Sequence, residues 1–210
     1  MARTRPKAER RASLLDAAER LLVERGINQL TVEEVTTAAG VSKGTFYLYF
    51  STKDDVIASL RERYATRVLQ RQEAVVNRLA PADWAGRVET WLIAGVQDYL
   101  ADPGLHDALF HHARHAGAQS SIYADGQSGD PLSGPVATLS ALLEEGARAG
   151  ALAIADPPAT AVLLFGAAHH AADYLHRGLA HGAAMAVLLT AASWAVGVLR
   201  LRTVRLPAPS

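Results

Sequence analysis

Between Leu30 and Phe50 two short helical segments are separated only by Ala39-Gly40-Val41, which leaves room for a tight turn and nothing longer. No other feature restricts the chain as much, because that spacing folds one short helix directly back onto the next. Thr31 stands three residues before Glu34, the pattern of a capping box that opens the first segment. Gly40 ends it, and Ser42 is placed to cap the second. In the second segment Phe46 and Phe50 lie four apart and face inward with Val41. Gly44, Thr45 and Leu48 then point the other way, with Tyr47 beside them.

The rest of the chain reads as helix too. Prolines and glycines divide it into about nine helical segments, and no stretch reads convincingly as a strand. Leu14, Leu15, Ala18, Leu21 and Leu22 repeat at helical spacing, and Gly26 closes that first helix. Ser51 followed by Asp54 predicts the capped start of a long helix to about Leu79, with Val56, Ile57, Leu60, Tyr64 and Val68 as its apolar stripe. Asp83 is the expected cap of a helix with Trp84, Val88, Trp91, Leu92, Val96 and Tyr99 on one face. Asp102-Pro103 and Asp156-Pro157 each place a capping residue before a proline at the first helical position, opening helices near 103–116 and 157–177. Gly117 to Pro131 reads as a loop, a helix follows at about 132–149, and a last one covers 183–202. The expected fold is all-α, and 41 alanines suit close contacts between its helices.

Composition then narrows the chemistry. With no cysteine in the 210 residues, disulfide scaffolds, thiolate metal sites and cysteine nucleophiles are excluded. The net charge of zero hides an asymmetry: residues 1–53 hold nine Lys/Arg against six Asp/Glu, and all three lysines. A basic N-terminal end fits an anionic partner such as nucleic acid. Two short helices about a tight turn form a helix-turn-helix, whose second helix enters the DNA major groove. Ser42, Lys43, Thr45, Tyr47 and Tyr49 are donors of the kind that reach phosphates or base edges. The arm Arg3-Thr4-Arg5-Pro6-Lys7 either adds groove or phosphate contacts or is a charged terminus that touches nothing.

Leu30-Thr31-Val32-Glu33-Glu34-Val35, then Ala39 through Phe50, then Lys53, closely resembles the DNA-binding domain of TetR-family transcriptional regulators. The likeness covers about residues 10 to 60. It implies a homodimer of about nine helices, with residues 1–53 as N-terminal arm and helix-turn-helix domain and 54–203 as effector-binding and dimerisation domain. Residues 204–210 are expected to be a disordered tail. By the resemblance, Thr31 and Ser42 are capping positions that approach phosphates, and Lys43, Gly44, Thr45 and Leu48 lie on the groove-facing side. Tyr47, Tyr49 and Lys53 match phosphate-contacting positions. Leu48 departs from the aromatic or polar residue common at its position; it cannot donate a hydrogen bond, so contact with a thymine methyl replaces direct base reading there. The implied function is a ligand-responsive regulator of transcription, a cytoplasmic repressor bound as a dimer to a palindromic double-stranded DNA operator and released by a small apolar or aromatic effector.

The middle helices would line the effector cavity. Trp84, Trp91, Tyr99, Phe110, Phe165 and Tyr174 are its available aromatic side chains, with His111, His115 and His169 among them. Plain core packing is the other reading of each. The histidines also suggest an alternative function, a histidine-based metalloprotein or hydrolase, since His111 and His115 share a helix face. No HExxH, GxSxG or P-loop accompanies them, so no enzyme activity, catalytic residue, metal or cofactor is assigned. Gly182 to Leu199 is 18 residues without a charge, but its alanines and glycines read as a buried bundle helix rather than a membrane span. No secretory leader and no membrane partner are expected. Ala167, Ala171, Ala192 and Val196, on the last two helices, are the expected dimer contacts, where small side chains let two copies approach closely.

Overall fold

The computed structural model describes residues 6–110 and 133–176, and all of its regular structure is helical. The helices are α1 (Lys7–Arg25), α2 (Val32–Ala39), α3 (Lys43–Tyr47), α4 (Lys53–Val76), α5 (Trp84–Ala101), α6 (Pro103–Phe110), α7 (Ser133–Arg148) and α8 (Pro157–His176), with a 3-10 turn at Ile27–Gln29. The arm before Pro6, the expected final helix over 183–202 and the tail 204–210 lie outside the described residues, as do His111, His115, Ala192 and Val196.

The local signals act much as their chemistry dictates. Thr31 and Glu34 form the full capping box of α2, and Gly40 closes that helix in the left-handed conformation, at φ 66°. Asp102 and Asp156 accept hydrogen bonds from Leu105 and Ala159, capping α6 and α8. One start differs from its expected form. The cap of α4 is Thr52, not Ser51: its hydroxyl accepts from the Asp55 amide at 3.1 Å, and the Asp55 carboxylate accepts from the Thr52 and Ser51 amides. Aspartate here fills the place that Glu34 fills in α2, one residue later than the Ser51-Asp54 pairing would put it. The helix also stops at Val76, where turn-type hydrogen bonds from Arg78 and Leu79 take over.

The described residues divide into two compact units, one of residues 6–64 with 102–110, the other of 65–101 with 133–176. In the first, α1 packs on α2 and α6, and α2 on α3. Leu14, Leu22, Val35, Phe46, Phe50, Val56, Leu60, Leu105 and Leu109 are buried there. The first unit thus reaches beyond residue 53, taking in the start of α4 and all of α6. Arg63 of α4 joins it to α1 by ion pairs with Asp16 and Glu19, and the Arg61 Nε–H donates to the Leu109 carbonyl at the end of α6, 2.8 Å away. Burial works against the Arg63 charge, but the two carboxylates raise its hold on its proton.

The second unit packs α5 and α7 against α8. Its core is Val76, Val88, Trp91, Leu92, Leu139, Leu142, Leu143, Leu152 and Ala161. Gly146 is small for a reason: a Cβ there would stand 2.5 Å from the Leu152 side chain. No helix among the described residues is long and apolar enough to cross a membrane; Gly182–Leu199 falls outside them.

Candidate nucleic-acid interface

Two phenylalanines set the orientation of α3. Phe46 and Phe50 are 1% and 3% exposed and their rings lie 5.6 Å apart, so the helix is pinned to the first unit by that edge. The opposite face is turned outward: Tyr47 is 59% and Leu48 73% exposed, and Gly44 is open to solvent. A Cβ on Gly44 would meet nothing nearer than the Ser42 hydroxyl at 3.8 Å, so that backbone is accessible to a large partner. Val41 is only partly buried at the edge of this packing.

The hydroxyls at the helix starts are engaged locally. Ser42 Oγ accepts from the Thr45 amide at 3.2 Å and shares a hydrogen bond with Thr45 Oγ1 at 3.0 Å. Thr31 Oγ1 accepts from the Glu34 amide at 3.2 Å and donates to the Glu34 carboxylate at 2.8 Å. That hydroxyl chiefly holds the Glu34 carboxyl below its ordinary range; desolvation opposes it and Arg25, paired at 2.5 Å, assists. Both hydroxyls therefore order the backbone first, and reach a partner only through lone pairs that the caps leave over.

The cations differ from one another. Lys43 is exposed and its Nζ donates to Glu33 at 2.9 Å, an ion pair between α2 and α3 that positions the ammonium beside the outward face. Lys53 is half-buried, and its Nζ donates to the Ile27 carbonyl at 3.2 Å. That contact ties the start of α4 to the 3-10 turn, a structural task beside any phosphate contact. Tyr49 is half-buried against Phe50, so its ring has less freedom than that of Tyr47. The residue pattern did not single out Glu33, although its place on the exposed side of α2 makes the Lys43 pairing readable afterwards.

In the second unit some of the expected cavity residues meet and others do not. Trp91, Phe165, His169 and Tyr99 form a run of rings: Trp91 lies 6.5 Å from Phe165, Phe165 stacks on His169 at 5.9 Å, and Tyr99 meets His169 edge-on at 5.9 Å. Trp84 is partly buried nearby, with the Arg87 guanidinium 4.6 Å from its ring. Phe110 belongs instead to the first unit, packed on Tyr64 and His106. Tyr174 is 53% exposed and shares an outer face of α8 with Leu163 and Ala167. Ala171 is half-buried beside that face.

One buried polar group lies outside the residues that the sequence pattern marks for the site. Gln72 is 2% exposed; its Nε2 donates to the Trp91 carbonyl at 2.9 Å, while its Oε1 and the Trp91 indole N–H have no hydrogen-bond partner. Gln72 continues the α4 stripe four residues beyond Val68, so the helical period alone marks it as a polar residue in an apolar position. Among the described residues no three of His, Cys, Asp and Glu are grouped as a metal would require.

Comparison with known proteins bears on the same segment. Residues 14–60 match the family described as bacterial regulatory proteins, tetR family. The fatty acid metabolism regulator protein of Bacillus subtilis is 34% identical over 82 residues, 39% of this chain and 41% of that protein. The HTH-type transcriptional repressor BepR of Brucella suis is 39% identical over 77 residues, 35% of this chain and 37% of that protein. The chain thus spans about two fifths of the length of these curated relatives. The crystal structure of the regulator FadR from Bacillus subtilis in complex with stearoyl-CoA shares the fold, with a TM-score of 0.66 and 21% identity over 90% of this chain and 97% of that one.

Proposed function

We propose that this chain, whose residues 14–60 match the TetR family of bacterial regulatory proteins, is a ligand-responsive regulator of transcription that represses by binding a palindromic operator as a homodimer. The observation that carries the reading is the outward face of α3. Phe46 and Phe50 hold the helix by one side, which leaves Gly44, Thr45, Tyr47 and Leu48 free to enter a major groove. Ser42, Lys43, Tyr47 and Tyr49 contact the flanking phosphates, Thr31 adds a contact from α2, and Lys53 adds one from α4. A protein of this kind needs no enzyme activity and no metal.

The effector enters the second unit. Supporting this are the Trp91, Phe165, His169 and Tyr99 rings, which offer an apolar wall, and the unpaired Gln72 Oε1 and Trp91 N–H, which offer one acceptor and one donor. Such a ligand is apolar or aromatic with a small polar group. A saturated acyl chain, as in the stearoyl-CoA of one structural neighbour's complex, is the first apolar group to try. Effector binding lowers operator affinity by favouring the arrangement that cannot engage DNA, typically by a factor of ~5–150.

The test is selection of bound duplexes from a random-sequence library, followed by gel shifts with the enriched sequence. An inverted repeat with half-sites about 34–36 Å apart, or a multiple of that, is the expected product. Recovery of no preferred sequence at low salt would overturn the reading.

A further inference from the structure

Lys43 is the one cation in the sequence of α3, and it already has an anionic partner. Its Nζ donates to the Glu33 carboxylate at 2.9 Å, from the first turn of α2. Both side chains stand in water, 57% and 73% exposed, so the pair is weakly held and can be exchanged. The α2 capping box does not use this carboxylate: it is built from Thr31 and Glu34, and Glu34 is further bound to Arg25. Among the described residues Lys43 is the only hydrogen-bond or ion-pair partner of the Glu33 carboxylate. Released from Lys43, that carboxylate would still sit in the N-terminal turn of a helix, where negative charge is favoured. A DNA phosphate offers the Lys43 ammonium the same kind of acceptor, and two anions brought to one ammonium repel each other.

We infer that Glu33 sets the specificity of DNA binding by holding Lys43 until an operator phosphate displaces it. The inference rests on the DNA-binding reading above and adds a residue to it, one that acts through Lys43 and touches no base. On unrelated sequence the protein lies loosely and in no fixed register, so no phosphate is held at bonding distance from Lys43 and the pair with Glu33 persists. On the operator the seated α3 fixes the register, a phosphate comes to the ammonium, and its charge drives the Glu33 carboxylate off. Lys43 then contributes its phosphate contact only where the sequence is right. A carboxylate that penalises the wrong complex gives specificity by repulsion.

The experiment measures binding of the full-length protein to the selected operator and to a scrambled duplex, between about 50 and 200 mM salt. The wild type, Glu33→Gln, Lys43→Ala and the double variant are compared. Glu33→Gln should steepen the salt dependence on the scrambled duplex by a log–log slope of about 0.9, because Lys43 gains a phosphate there. Over that range of salt the added slope amounts to a roughly 3.5-fold further loss of affinity. On the operator the slope should keep its wild-type value, since Lys43 already holds a phosphate. In the Lys43→Ala background the Glu33 change should leave both slopes unmoved, which a carboxylate acting by its charge alone would not do. A scrambled-duplex slope unaffected by Glu33→Gln, an equal steepening on both duplexes, or a shift that persists without Lys43 would overturn the proposal while the DNA-binding reading stands. Failure to enrich any operator would overturn both.

Discussion

Single side chains in this protein carry tasks that their type alone does not announce. The Asp98 carboxylate pairs with Arg71 at 2.9 Å, yet one of its oxygens is buried without a hydrogen-bond partner. Burial pushes its carboxyl above the usual range, with Arg71 and Arg67 pulling the other way. A carboxyl that holds its proton more tightly folded than unfolded costs stability as pH rises through the interval between the two values, and the whole cost is present at neutral pH. Asp98→Asn should therefore raise the melting temperature at pH 7, with the gain shrinking to nothing as pH falls to the ordinary carboxylate value. A loss at pH 7 would mean that the Arg71 pairing outweighs burial. Glu34 has the opposite sign: its lowered carboxyl stabilises the first unit above the ordinary glutamate value, and that contribution fades as pH drops through the folded value. The cap itself is testable apart from charge, since Thr31→Ala should cost about 1 kcal/mol in denaturant unfolding.

Between elements, α4 and α5 meet closely where Gln72 reaches Trp91 and Gly95. Gln72 lies over Gly95 so closely that a Cβ on Gly95 would stand 2.8 Å from its Nε2. The Gln72 amide cannot simply swing aside, because it is bonded to the Trp91 carbonyl. Gly95→Ala should destabilise the protein by roughly 1–3 kcal/mol. In the background of Gln72→Ala the same change should cost much less, so the cycle gives a coupling energy of the order found for touching residues. Additive losses in urea melts would show that the seam relaxes by another route. Lys53 and Lys43 separate in the same spirit. Lys43→Ala should flatten the salt dependence of DNA binding by a log–log slope of about one while the fold keeps its stability. Lys53→Ala should also lower the stability of the first unit, through the lost bond to the Ile27 carbonyl.

For the whole molecule the proposed homodimer turns on the outer face of α8. Leu163, 73% exposed, and Tyr174 share it with Ala167, an arrangement of apolar groups that a second copy of the chain would cover. Ala167→Glu places a charge at its centre and is expected to give monomers that bind operator weakly, because a palindrome needs two recognition helices on one axis. Sedimentation velocity measures this directly. A wild type that is monomeric at micromolar concentration would remove the homodimer, while an unfolded variant would place Ala167 in a core rather than an interface.

Much of this architecture is local, and local structure was legible in the sequence. Capping depends on residues three apart, helix faces on residues three and four apart, and the left-handed end of α2 on one glycine; Thr31, Glu34, Gly40, Ser42, Phe46 and Phe50 stand as their spacing requires. The outward direction of Gly44, Thr45 and Leu48 followed from the same periodicity. Near-equivalent neighbours were harder to separate, which is why the cap of α4 fell on Thr52 instead of Ser51. The tertiary structure alone decided which faces meet. It set α6 in the first unit, brought Phe165 and His169 to Trp91 and Tyr99 from the far end of the chain, paired Lys43 with Glu33, and buried Gln72 over Gly95. The physical reason is that an apolar helix face gains nearly the same free energy against any other, since burial is non-directional. The choice among partners is made by shape and by the few polar groups that packing must satisfy.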